Sequence, residues 1–162
     1  MDGDLDSLEH LREKVKGTNI NEQTLLATDY LNHLNEPIML LEMVADAPEL
    51  LEELAAWHPK SYVEHFADSS FADKELAIRA YAAAPAIYRE PFNKTIESAG
   101  RCICTTVDAL TRLSAQGRTD DIRAIASEVT TILGELVDRA SSIIHGKVTT
   151  LGQTQIDQIM NG

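Results

Sequence analysis

Two long helical stripes joined by a tight turn constrain this chain most. Between residues 86 and 115, Ile96, Ile103, Val107 and Leu110 recur on one helical face. From Thr119 onward, Ile122, Ile125, Val129, Ile132, Leu136 and Ile143 keep a three/four spacing. That period turns apolar side chains to one side of an α-helix. Gln116-Gly117-Arg118 leaves room only for a short connection, so the two helices are predicted to pair antiparallel. No stretch alternates with period two between turn residues, and aromatics are only 5% of the chain. The fold predicted is therefore all-α. It is a four-helix-like bundle with short extra helices and a tethered C-terminal peptide. At 162 residues one core domain is expected, a helical bundle over 1–146, with a linker and docking peptide over 147–162.

A third stripe, Ala27, Leu31, Leu34, Ile38 and Leu41, lies within residues 22–44. Asn19 and Glu22 have capping-box spacing, which predicts a helix start near Ile20 or Asn21 and an end near Asp46. Pro37 interrupts the pattern. It lacks a backbone donor, so the His33 carbonyl loses its usual partner and a kink is expected. Short helices are predicted for Pro48–Trp57 with Asp46 as cap, for Tyr62–Ala67 behind a Ser61/Glu64 capping box, and for Phe71–Ala84. The 86–115 helix has a potential restart at Pro91, and Thr119 is the expected cap of the next one. A first amphipathic helix carries Leu5, Leu8, Leu11 and Val15. Long stripes with a second apolar face would also support a homodimer.

The formal charge is −12. Phosphate contacts need clustered Lys and Arg, so direct binding to nucleic acid or to an anionic membrane is not expected. Residues 46–75 hold eight acids and two bases, which is either a docking surface for a basic partner or the wet side of short helices. The first ten residues have no basic segment followed by an apolar one, and no apolar run approaches the length of a membrane span. A cytoplasmic location is expected. Cys102 and Cys104 are two apart, on roughly opposite sides of a helix, and read as two buried or partly buried free thiols.

The tail Leu151–Met160 places Ile156, Ile159 and Met160 on one helical face beyond a Gly-containing linker. A small apolar face on a tether is a binding device. Gln153 and the Ile156-Asp157 pair, followed by Ile159 and Met160, resemble the short response-regulator-docking peptides of bacterial chemotaxis. The flagellar switch protein carries such a peptide at its N-terminus. The chemotaxis phosphatase carries one at its C-terminus, beyond a bundle and a linker. The likeness covers about ten residues. It departs from the switch-protein pattern at Gln155, where an acid is usual, and at Gln158, where a small residue is usual. The competing reading is a terminal helix that docks on its own bundle. The resemblance implies a response regulator as partner, bound through Gln153, Ile156, Asp157, Ile159 and Met160.

Asp29, Asn32, His33 and Glu36 share a polar face of the 22–44 stretch. Hydrolysis of an aspartyl-phosphate is mostly a matter of positioning. Chemotaxis phosphatases pair an acid with an Asn or Gln on a helix. The resemblance implies Asp29 as the orienting acid and Asn32 as the residue that positions water. Glu90 and Asn93 have the same spacing, and the plainer reading of the Asp29 face is a polar patch compensating the Pro37 kink. No cofactor is expected. An alternative from another class is a metal-binding bundle using His33, Glu36, His65 and Asp68, although the order His-x-x-acid reverses that of di-iron bundles. A third is a purely structural oligomeric interaction module. Phosphotransfer through His33 finds weak footing, because no ATP-binding loop is present and the Pro spacing is one residue short.

Overall fold

The computed structural model describes residues 2–147, with side chains from Leu8 onward. The docking residues Gln153, Ile156, Asp157, Ile159 and Met160 lie outside the described residues. The described chain is all-α: α1 (Asp2–Val15), α2 (Leu31–Met43), α3 (Leu51–Ala56), α4 (Tyr62–Asp68), α5 (Lys74–Ala83), α6 (Ala86–Ala115) and α7 (Thr119–Ile144). Among the described residues, no helix is long and apolar enough to cross a membrane.

The hairpin of α6 and α7 is the backbone of the fold. Its turn is a Schellman motif: Gly117 takes φ +69, its N–H donates to the Ser114 carbonyl at 3.0 Å, and the Arg118 N–H donates to the Leu113 carbonyl at 3.0 Å. The end of α7 repeats the device, with Gly146 at φ +82 and Gly146 and Lys147 donating to Ile143 and Ser142. On α6 the expected stripe is buried in full, and Phe92, Ala99 and Gly100 extend it. Gly100 matters for packing, because a Cβ there would lie 3.3 Å from the Pro59 ring.

Helix α2 lies against α7, and α3 packs on α6. Antiparallel order of α2 and α7 follows from two bonds at opposite ends. The Arg123 guanidinium holds Asp46 just beyond α2 at 2.7 Å, and the Thr24 hydroxyl before α2 donates to the Ile144 carbonyl at 2.6 Å. Three of the four expected bundle helices are therefore α2, α6 and α7. Among the described residues, the middle of the chain holds the short α3, α4 and α5 rather than a long fourth helix.

Several local expectations are corrected. The helix expected from Ile20 begins only at Leu31, after a 3-10 turn at Thr28–Tyr30. Asn21, not Asn19, uses its side chain: its Oδ1 accepts from the Gln23 N–H at 2.8 Å and the Thr24 N–H at 3.0 Å. That local bonding competes with helix, and the chain forms a buried loop instead. Ile20 bridges Ala27, Leu25 sits at φ +60, and Thr24 through Ala27 are fully buried. Asp46 does not cap the next helix: Ala47 stands at the cap position, and Asp46 pairs with Arg123. Thr119 is already helical and makes no cap. Helix α5 starts three residues later than expected, at Lys74, and α6 runs through Pro91 without a restart. On α7, Ile132 is 43% exposed while Leu133 is fully buried. Ile122 and Ile143 of the expected stripe are buried and Ile125, Val129 and Leu136 pack against the core; Ala126, Leu133 and Ala140 join them because α7 packs on both α6 and α2. Cys102 is half-buried and Cys104 is exposed, so only the first matches the expected thiol environment.

Other expectations hold. Ser61 and Glu64 form a complete capping box, with the Ser61 side chain accepting from Glu64 N–H and Glu64 accepting from Ser61 N–H. Those bonds hold the Glu64 carboxyl below the usual carboxylate range.

Candidate functional site

The structure places Asp29 beside Asn32 and adds His65, while His33 and Glu36 of the expected face turn elsewhere. Asp29 lies in the 3-10 turn, Asn32 and His33 in the first turn of α2, and His65 on α4. The Asn32 amide donates to Asp29 Oδ1 at 3.3 Å. The His65 ring donates from Nε2 to Asp29 Oδ2 at 3.1 Å, since the carboxylate can only accept. The Asp29 side chain keeps 28% exposure and that of His65 13%, so the pair sits at the surface with one wet edge. Asn32 is exposed.

Beside it, His33 faces the other way. Its Nε2–H donates to the His58 carbonyl at 2.8 Å, and its ring stacks on Trp57 with centroids 4.9 Å apart and planes 24° apart. The Trp57 indole N–H in turn donates to the His33 backbone carbonyl at 3.0 Å. This is the carbonyl that Pro37 leaves without a helical donor. Helix α2 therefore continues through Pro37 to Met43, and the loss is made good by the chain's single tryptophan.

Beneath the face lies an aromatic cluster. Tyr30 stacks on Tyr62 at 5.8 Å and meets the His65 ring edge-on at 5.3 Å. The Tyr30 hydroxyl donates to the Lys60 carbonyl, and burial pushes its pKa up to about 12. Asp29 and His65 are thus set on a rigid floor, which fixes a constellation better than a free loop would.

The four residues of the metal alternative do not assemble. His33 and His65 rings are 6.0 Å apart, and each spends Nε2 on another acceptor. Asp68 pairs with Lys60 at 3.2 Å, and Glu36, though it lines one open groove with His33, is exposed there beside Glu53 and away from His65 and Asp68. Among the described residues, no three His, Cys, Asp or Glu side chains are grouped to hold a metal ion. Of the rival pair Glu90 and Asn93, Asn93 is engaged elsewhere, accepting from the Tyr81 hydroxyl at 3.0 Å.

Sequence reasoning paired Asp29 with Asn32 but did not pair Asp29 with His65, thirty-six residues away. It also missed Trp57, although the orphaned carbonyl at His33 called for some donor. No protein-family model, curated protein or solved structure matches the chain.

The position of His33 has a pH consequence. Burial disfavours the imidazolium and lowers its pKa, with His65 and Lys60 adding to that effect and the His58 carbonyl and Glu36 opposing it. A histidine whose folded pKa lies below its unfolded value of about 6.5 lets the unfolded chain bind more protons. Its stabilising share is complete above that pH and is lost as pH falls towards the folded pKa. Denaturant midpoints measured between pH 7.5 and 5.5 should fall more steeply for wild type than for His33→Asn. Equal slopes would remove His33 from the account.

Proposed function

We propose that this chain is a signalling protein that captures a response-regulator-like partner and promotes hydrolysis of its aspartyl-phosphate. The observation that carries the reading is the meeting of Asp29 and Asn32 on a wet surface, with the second Asp29 oxygen tied to His65. An acid and an amide held side by side are what positioning chemistry requires. Asn32 would orient a water for attack on phosphorus. The P–O bond to the partner's aspartate breaks, its carboxylate is freed and inorganic phosphate leaves. Asp29 would orient the partner's site. The tail, with its likeness to regulator-docking peptides, would raise the partner's local concentration at this face.

The test uses receiver domains phosphorylated with a small phosphodonor. The full chain should shorten the lifetime of the acyl-phosphate on at least one receiver. Asn32→Ala should reduce that acceleration by about 10²-fold, the usual effect of removing one positioned polar group, while leaving binding intact. A chain ending at Gly146 should bind more weakly. If no receiver domain binds the full chain or loses phosphate faster in its presence, the reading falls.

A further inference from the structure

Below Asn32, the same helix presents a second and different surface. Glu36, Met39 and Met43 follow Asn32 at intervals of four, three and four, so they form one outward stripe along α2. Met39 is 59% exposed and Met43 48%, in a chain whose other aliphatic side chains on α2 turn inward. From Glu36 to Met43 the stripe is about 11 Å long at 1.5 Å per residue. The sequence around it carries one sign of charge. Residues 17–59 contain eight acids and no Lys or Arg. Glu36 and Glu42 are exposed on α2 itself, and Glu49, Glu52 and Glu53 are exposed on the following turn and α3. Glu36 and Glu53 share the rim of an open groove of about 500 Å³ with His33, Trp57 and Lys60. Cations near this stretch come from other segments, among them Arg123 of α7 paired with Asp46 and Lys60 paired with Asp68.

We infer that this α2 face is a docking surface for a basic amphipathic helix of a partner protein. Methionine is unbranched and polarisable, and it adapts to apolar anchors of varied shape. Two methionines one turn apart match anchors at i and i+4, and the acidic rim matches Lys and Arg on the flanks of such a helix. Charge selects this occupant over the others. A second copy across a two-fold axis would set these acids against themselves. Residues 148–162 carry no Lys or Arg and one Asp, so the chain's own tail has no cation to offer. The surface goes beyond the phosphatase reading and needs neither Asp29 nor Asn32.

The probe is a synthetic helical peptide with Leu at i, i+4 and i+7 and Lys on its flanks, titrated against the full chain. Two controls accompany it, one with every Lys changed to Glu and one with every Leu changed to Ser. Only the first peptide should bind saturably, and hydrogen exchange should slow on α2. The double variant M39E/M43E decides between docking and bulk attraction. Docking through the methionines predicts affinity reduced by about tenfold or more. Attraction to net charge alone predicts tighter binding, since two acids are added. Both positions are exposed, and a circular dichroism melt confirms that the variant folds. Unchanged or tighter binding by M39E/M43E, or protection elsewhere than α2, overturns the proposal. So does a wild-type dimer that M39E/M43E dissolves, because the occupant is then a second copy. Retained binding with Asn32→Ala separates this surface from the phosphatase site.

Discussion

Tyr62→Ala is expected to cost about 3–5 kcal/mol, the usual range for deleting a large buried aromatic side chain. Tyr62 is 1% exposed and stands at the centre of the aromatic cluster. It stacks on Tyr81 at 4.6 Å and on Tyr30 at 5.8 Å, and it meets Phe66 and Phe92 at larger angles. Its hydroxyl accepts from the Ala27 N–H at 2.9 Å, inside the loop that precedes α2. Burial therefore raises its pKa well above that of a free tyrosine. Removing the ring opens a cavity that four neighbours cannot all fill. A domain of this size is stable by about 5–15 kcal/mol, so the loss is a large fraction of the whole. Tyr62→Phe isolates the hydrogen bond. It keeps the ring but leaves a fully buried N–H without its acceptor, a cost of about 1–3 kcal/mol. Urea unfolding followed by circular dichroism reads both. A Tyr62→Ala loss under about 1 kcal/mol would mean the cluster is not a packed core.

Tyr62 also shows why some of this fold was legible in the sequence and some was not. The helix that carries it begins at a Ser61/Glu64 box, a signal complete within four residues. The Gly117 turn and the α6 stripe are legible for the same reason, because each is decided by neighbours along the chain. What Tyr62 touches is not decided that way. Ala27, Tyr30, Tyr81 and Phe92 reach it from three other segments. The failure at residues 20–30 has the same origin. Asn19 and Asn21 both stand before a polar run, and only tertiary burial of Thr24 through Ala27 favours the loop over another helical turn. On α7 the stripe fails only at Ile132, because a helix packed on two sides buries a wider sector that takes in Leu133 instead. The candidate site divides along the same line. Asp29 and Asn32 share a face by spacing alone, whereas the hold of His65 on Asp29 depends on how α4 packs against the 3-10 turn.

Trp57 offers the sharpest test of how α2 survives its proline. Its indole donates to the His33 carbonyl and its ring covers the His33 imidazole. Trp57→Ala loses both, with an expected cost of about 3 kcal/mol from packing and the orphaned acceptor together. Trp57→Phe keeps an apolar ring and removes only the donor, so about 1–2 kcal/mol is expected. The decisive step is to repeat Trp57→Phe in a Pro37→Ala background. Alanine restores the N–H that an uninterrupted helix would direct at the same carbonyl. The His33 oxygen then has a donor whether or not the indole is present. Trp57→Phe should become nearly neutral, and the two substitutions should couple by about 1 kcal/mol in a double-mutant cycle. Additive costs would mean that the carbonyl is satisfied by water once the indole is gone. Coupling would show that the chain's one tryptophan stands in for the hydrogen bond that Pro37 removes, and that the helix carrying Asn32 stays intact through a residue of a later segment.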